Sequence, residues 1–133
     1  MNDKLAVVRG WFQKGDNDLR TLKLLLEAEG PFDNACFHAQ QAVEKYLKGV
    51  MLLAGVVFPF THDLEELQEI GATKVTGWPF TGLDLVGLTD YAVELRYDFA
   101  FSPDRQQVTD ALNLAEEVRS RTMKYAPKEA HPS

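Results

Sequence analysis

Helical periodicity is clearest in residues 32–54, FDNACFHAQQAVEKYLKGVMLLA. Apolar side chains recur there at spacings of three and four, which is the period of an α-helix with one buried face. The residues of that face are Ala35, Ala39, Ala42, Val43, Tyr46, Val50 and Leu53. The stretch therefore predicts a long helix that packs against its neighbours along most of its length.

Three further long segments repeat this pattern, and strand-like alternation is nowhere sustained. We expect Thr61 to cap a shorter helix and Ser102 to cap the last one, because hydroxyl side chains accept hydrogen bonds from free N–H groups at helix starts. The sequence therefore predicts an all-α, antiparallel up-and-down bundle of four main helices plus one short helix. The main helices are predicted at about residues 3–29, 32–54, 83–96 and 103–126, and the short one at residues 61–71.

The chain has 133 residues, which is the length of one domain. We assign residues 1–126 to that domain and residues 127–133 to a flexible C-terminal tail. With 14 basic and 20 acidic residues the net charge is −6, so the overall basic character typical of nucleic-acid-binding domains is absent. A single cysteine, Cys36, excludes an intrachain disulfide and fits a reducing, cytoplasmic location. The longest apolar stretch, residues 50–60, is too short to span a bilayer, so no membrane association is expected.

A polar stripe follows one edge of the predicted second helix. Its members are Asn34, His38, Gln41, Lys45 and Lys48, which fall within one angular sector at about 100° per residue. One interpretation is the wet boundary of a buried helix, where lysine side chains extend towards water. The other is a cationic strip that binds a phosphate or pairs with a facing carboxylate, with directional hydrogen bonds from the histidine and the glutamine.

Other kinds of chemistry find less support. His62 is followed by Asp63, which fits either a histidine bonded to local backbone at a helix start or an acid–base pair. No two histidines have the spacing of metal ligands, so no metal is expected. Cys36 and His38 project about 200° apart on a helix, so Cys36 is interpreted as a small buried hydrophobe rather than as a nucleophile. Glycine-rich phosphate loops are absent, and no cofactor is predicted.

Three motifs in order give the chain a family resemblance. They are FHAQQAVEKYLK at 37–48, THDL at 61–64 and YAVELRY at 91–97, and Trp11 followed by Asp18-Leu19 adds to them. Together they resemble the HEPN domain (higher eukaryotes and prokaryotes nucleotide-binding). The resemblance implies a helical bundle that commonly forms homodimers. It also implies a small nucleotidyltransferase, often encoded next to the HEPN gene, as a partner in a toxin–antitoxin or stress-response module.

Many HEPN proteins are metal-independent RNases in which an arginine is followed, after four to six residues, by a histidine. Arg96 fits the arginine position, but the residues after it read YDFAFSP and contain no histidine, and Asp98 replaces the usual proline. We therefore expect a non-catalytic module that binds a nucleotide or a partner. The alternatives are an RNase toxin with a substituted acid–base residue, such as His38 or His62, and a purely structural dimeric interaction protein.

The predicted nucleotide-binding site or polar network combines the helix edge with residues added by the resemblance. Its cations need an acidic counterpart, because an unpaired buried charge is strongly unfavourable. Asp63 or Glu94 would supply it internally, whereas a nucleotide phosphate would supply it in a binding site. A nucleotide is thus a possible ligand, while RNA is not favoured. The predicted members are His38, Gln41, Lys45, Lys48, His62, Asp63 and Arg96.

Overall fold

The computed structural model describes residues 2–91 and 99–133, and within these ranges it contains helices and no strands. This confirms the predicted all-α helical bundle. None of the helices in the described ranges is long and apolar enough to cross a membrane. The helices are α1 (Asn2–Glu27), α2 (Phe32–Leu53), α3 (Leu64–Lys74), α4 (Val86–Thr89) and α5 (Arg105–Tyr125), followed by a 3-10 helix (Lys128–Ala130).

The first two predicted helices lie within two residues of their observed bounds, whereas the fourth differs more. Where the sequence predicts one helix over residues 83–96, the described residues contain a single short turn, α4. The Asp84 side chain, just before this turn, accepts from the Val86 amide at 3.1 Å. The remainder of that predicted helix, residues 92–98, lies outside the described residues.

Both predicted N-caps are wrong, and in each case an aspartate two residues later caps the helix. The Asp63 carboxylate accepts hydrogen bonds from the amides of Glu65 and Glu66, so α3 begins at Leu64. The Thr61 hydroxyl instead accepts from the Asp63 amide, at 3.1 Å. A carboxylate also interacts favourably with the positive end of the helix dipole, which a hydroxyl does not.

At the start of α5, Asp104 replaces Ser102 as the predicted cap. The Asp104 side chain accepts from the Gln107 amide, and the Gln107 side chain accepts from the Asp104 amide, both at 2.9 Å. This reciprocal capping box satisfies two backbone donors at once and fixes the first residue of the helix.

The bundle is organised around the long contact between α1 and α2, and α5 packs across both. Glycine permits the close approach. A Cβ atom on Gly15 would lie 2.8 Å from the Tyr46 ring, and one on Gly49 would lie 2.4 Å from Phe12. Both aromatic side chains are fully buried, so the two helices are held at a separation that larger residues would not allow.

Two aromatic residues of the loop after α3 also belong to the core. Trp78 and Phe80 are almost fully buried, and their rings meet edge to face at 5.0 Å. Gln68 on α3 holds this loop, because its side-chain oxygen accepts from the Trp78 indole at 2.6 Å and its nitrogen donates to the Phe80 carbonyl at 2.8 Å. The irregular backbone is therefore anchored through side chains.

The C-terminal segment, for which the sequence predicts flexibility, lies against α1. Ala130 is fully buried, and the Arg9 guanidinium donates two hydrogen bonds to the Glu129 carbonyl. Ala126 ends α5 in an extended conformation, and Pro127 precedes the 3-10 turn that follows. The 3-10 turn is thus packed against α1 rather than free.

Candidate functional site

The polar edge of α2 is divided between two carboxylates, and the first of these is Asp18 on α1. Its two oxygens face α2, where Oδ1 lies 2.9 Å from His38 Nδ1 and Oδ2 accepts from Lys45 Nζ at 2.5 Å. Asp18 is buried, and the lysine and histidine side chains are largely shielded from water. We refer to Asp18, His38 and Lys45 as the Asp18 group.

The second carboxylate, Glu44, lies on α2 itself. Its Oε1 accepts from Gln40 Nε2 at 3.1 Å and lies 2.9 Å from His62 Nδ1, while its Oε2 accepts from Lys48 Nζ at 3.0 Å. Gln41 extends the arrangement by donating to the Gln40 side-chain oxygen at 2.7 Å. The Glu44 group thus consists of Gln40, Gln41, Glu44, Lys48 and His62.

The Glu44 group fastens the loop between α2 and α3 to α2. Gln40 Nε2 donates to the main-chain carbonyl of His62 at 3.1 Å, in addition to the side-chain contact of His62 with Glu44. The Lys48 ammonium lies 5.6 Å from the centroid of the Phe58 ring, within the range of a cation–π interaction. Two buried charged residues of α2 therefore hold this loop, Lys48 at Phe58 and Glu44 at His62.

Five of the seven predicted site residues belong to these two groups, but they do not form one cluster. His38 and Lys45 lie on Asp18, whereas Gln41, Lys48 and His62 belong to the Glu44 group.

The remaining two predicted residues have different positions. Asp63 is not part of either group, since its carboxylate caps α3. Arg96, like the alternative counter-charge Glu94, lies outside the described residues.

Among the described residues, the counter-charges are therefore Asp18 and Glu44 rather than the predicted Asp63. Signals for both exist in the sequence. Asp18 lies on the apolar stripe of α1, three residues after Gly15 and four before Leu22, and an acidic residue on a buried face needs a partner. Glu44 precedes Lys48 by four residues, the favourable order for a helical ion pair.

A third carboxylate, the partly buried Asp16, joins three helices and was not identified from sequence. It accepts from the Tyr46 hydroxyl at 2.5 Å and from Nε and Nη2 of Arg119 at 2.7 and 3.2 Å. Burial raises the pKa of Tyr46, and the hydrogen bond to Asp16 raises it further, so the hydroxyl remains a donor throughout the physiological range. The hydrogen bond with Asp16 also raises the pKa of Arg119.

Each of these three carboxylates forms an ion pair with one lysine or arginine. Lys45 faces Asp18, Lys48 faces Glu44, and Arg119 faces Asp16, so each carboxylate has one cationic partner. In the part of the chain that the structure describes, every buried side-chain nitrogen or oxygen has a hydrogen-bond partner. The same residues hold no group of three or more side chains that could bind a metal ion.

Cys36 is fully buried on α2, as the sequence predicts. Burial raises the pKa of its thiol from 9.0 to about 11, against the opposing effect of a hydrogen bond with Tyr91. Below pH 9 the folded protein should therefore contain about 100-fold less thiolate at this position than the unfolded chain. We expect Cys36 to react with Ellman's reagent at pH 8 at least that much more slowly in buffer than in 6 M guanidinium chloride.

The same shift predicts a pH dependence of stability. The folded state retains the Cys36 proton up to about pH 11, whereas the unfolded thiol loses it near pH 9.0. The stabilising contribution is thus complete below pH 9 and is lost as the pH rises to 11. Cys36→Ala should flatten the fall in melting temperature over this interval, and an unchanged slope would contradict the assignment.

Comparison with known proteins identifies the family. The sequence model of the HEPN domain matches residues 8–125, which span α1 to α5 and include both carboxylate groups. Searches of curated proteins and of solved structures give no match. Because the match covers most of the chain, the protein belongs to the HEPN domain family.

Proposed function

We propose that this HEPN domain is a non-catalytic module that acts by binding another protein. Its partner in this proposal is a small nucleotidyltransferase of a toxin–antitoxin or stress-response system. The observation that carries the proposal is the internal pairing of the cations along α2, which supports protein binding over the capture of a free nucleotide.

A phosphate at this site would have to compete with carboxylates that are already in place. Lys45 lies 2.5 Å from Asp18 and Lys48 lies 3.0 Å from Glu44, so neither ammonium is available unless its ion pair is broken. Opening such a pair leaves a buried carboxylate without its partner, which is strongly unfavourable. With each ion pair neutral, the two lysines of the site offer no excess positive charge to attract an anion.

The non-catalytic part of the proposal rests on the groups that RNA cleavage requires. A metal-independent RNase must deprotonate a 2′-hydroxyl and protonate a leaving oxygen, and histidine is suited to both near neutral pH. Arg96 is not followed by a histidine at the spacing of the RNase motif. An arginine stabilises phosphate charge but does not exchange protons usefully, because it remains protonated.

A second candidate function is an RNase with a substituted acid–base residue, and the geometry of His62 favours it specifically. Its side chain is half exposed while Glu44 holds Nδ1 at 2.9 Å. A carboxylate that orients one ring nitrogen leaves Nε2 as the proton-transfer atom. His38 has a similar contact with Asp18 but is more buried.

The partner is tested by co-expression of the HEPN chain with the product of its neighbouring gene. We expect a nucleotidyltransferase that co-purifies with the HEPN chain, and titration calorimetry of the HEPN chain alone should show no heat of binding with ATP or GTP. A neighbouring product of another class would contradict the proposed partner. Nucleotide binding that Lys45→Ala or Arg96→Ala weakens would instead support a nucleotide site.

We expect the purified protein not to cleave RNA. The assay uses single-stranded RNA in EDTA, with His38→Ala and His62→Ala as companion variants at matched concentration. Cleavage by the wild type that disappears in one of these variants would establish the substituted RNase. Cleavage that persists equally in both would indicate a contaminating nuclease, which a further chromatographic step would remove.

The proposal includes homodimerisation, which the family membership supports. A two-fold pair is the commonest symmetric arrangement of identical chains. Sedimentation at micromolar concentration should give a species of about twice the 15.0 kDa chain mass. A single 15.0 kDa species at high micromolar concentration would contradict it.

A further inference from the structure

The loop between α2 and α3 exposes an aromatic side chain completely. Phe60 has no shielding from solvent, and Val57, three residues earlier, is 90% exposed. Moving a large apolar side chain out of water is favourable, by on the order of 2 kcal/mol for a full side chain. A phenylalanine in this position is therefore available to bind an apolar surface.

The loop is held on both sides of Phe60. On one side, the Phe58 ring meets Trp11 edge to face at 6.0 Å and lies beneath the Lys48 ammonium. On the other side, His62 is bound through its ring to Glu44 and through its carbonyl to Gln40. Phe60 is thus presented by an anchored segment, and little conformational entropy remains to be lost when a partner binds.

The segment that carries Phe60 is acidic. Between Lys48 and Lys74 the chain contains four carboxylates and no lysine or arginine. Glu65 and Glu66 are exposed on the first turn of α3, and the Thr61 hydroxyl joins the loop to that turn by donating to Glu66 at 3.3 Å. The surface therefore combines an apolar projection with a negative border.

A second copy of this chain fits the surface poorly. In a two-fold pair centred on this segment, Glu65 and Glu66 would approach their own equivalents. Like charges brought together at an interface are unfavourable, whereas lysine or arginine residues around an apolar pocket would complement the border. The charge pattern thus selects a different protein.

We propose that Phe60 is the anchor of a docking surface, formed by residues 57–66, for a different protein whose apolar pocket is bordered by lysine and arginine. The Glu44 group positions this anchor through His62. The inference rests on the proposed function only in that both require a protein partner. It adds where that partner binds and which chemistry recognises it.

The test begins with a photo-crosslinking residue. p-Benzoylphenylalanine replaces Phe60 in the full chain, expressed in cells of the source organism, and replaces the exposed Leu24 on α1 in a matched control. We expect ultraviolet light to give one protein adduct from position 60 that is absent from position 24. The protein in that adduct is identified by mass spectrometry and purified for titration.

Affinity measurements then decide the inference. Phe60→Ala should weaken binding of the purified partner by at least about tenfold, as for a buried aromatic anchor, while Leu24→Ala should change it by less than about twofold. Glu65→Lys with Glu66→Lys should weaken binding and reduce its dependence on salt, because the border charges are screened. His62→Ala should weaken binding in the wild type but not when Phe60 is already alanine. If His62 only stabilised the fold, its replacement would weaken binding equally in both backgrounds.

Several results would overturn the inference. They are an adduct of twice the chain mass, a lipid adduct, the absence of any adduct at position 60, and a partner whose affinity is unchanged by Phe60→Ala. A nucleotidyltransferase that binds the wild type and the Phe60→Ala variant equally would overturn the docking surface and leave the proposed function intact. Failure of the nucleotidyltransferase to bind, with a different basic protein crosslinked at position 60, would do the reverse.

Discussion

Replacing Glu44 by leucine is expected to lower the free energy of unfolding by about 3–5 kcal/mol, the range for removing one partner of a buried ion pair. The carboxylate accepts from Gln40 and Lys48 and contacts His62. Lys48 would remain as a charge with only 8% of its side chain exposed, and the His62 side chain would lose its contact with α2. Urea denaturation followed by circular dichroism measures the change.

The chain provides a matched control on α5. Glu117 and Arg121 form an ion pair with the same helical spacing and the same order of charges, at 2.9 Å, but with 51% and 34% of their side chains exposed. Glu117→Leu should change the free energy of unfolding by less than about 1 kcal/mol, since exposed ion pairs contribute little. Equal losses for Glu44→Leu and Glu117→Leu would contradict the buried role of Glu44.

A double variant separates the lost pair from the isolated charge. Glu44→Leu with Lys48→Met removes both charges, so most of the loss should be recovered relative to Glu44→Leu alone. The hydrogen bonds to Gln40 and His62 are absent in both variants. The stability that the double variant still lacks relative to the wild type therefore measures their contribution. A double variant no more stable than the single one would show that loop attachment, rather than charge burial, dominates.

The helices themselves were predictable because a buried face leaves a periodic pattern in the sequence. The stripe on α2 identified a helix whose observed bounds, Phe32–Leu53, differ from the prediction by one residue. The caps were less predictable, since Thr61 and Asp63 both carry side chains that can accept from a helix start. The choice between them depends on tertiary contacts at the start of the helix, and here the Leu64 amide donates to the Thr89 hydroxyl at 3.1 Å.

The membership of the polar groups was harder to predict, because it depends on contacts between helices. Spacing along α2 placed His38 and Lys45 on one edge, but only the orientation of α1 brings Asp18 between them. The same limit applies to Asp16 and Arg119, which are more than 100 residues apart in sequence and in direct contact in the fold. Loop aromatics such as Trp78 have no periodicity to reveal that they are buried.

The close contact of α1 with α2 leads to the second large expected effect, a destabilisation of about 1–3 kcal/mol by Gly49→Ala. The added methyl group would lie 2.4 Å from Cε1 and 2.8 Å from Cδ1 of Phe12, well inside van der Waals contact. Phe12 is fully buried and packs against Tyr46, with ring centroids 6.3 Å apart, so its ring has little room to shift. The two helices must separate, which loosens the interface that organises the bundle.

Gly10 on α1 is the matched control, because it is also helical and a Cβ atom added there meets nothing within 4 Å. Gly10→Ala should therefore raise the free energy of unfolding by about 0.5–1 kcal/mol through helix propensity alone. Opposite signs for these two alanine variants, measured by urea denaturation, would assign the loss at Gly49 to the Phe12 contact. Adding Phe12→Leu should then cost less in the Gly49→Ala protein than in the wild type, because the smaller side chain relieves the overlap. A stabilising Gly49→Ala would instead mean that α1 and α2 can separate without loss of packing.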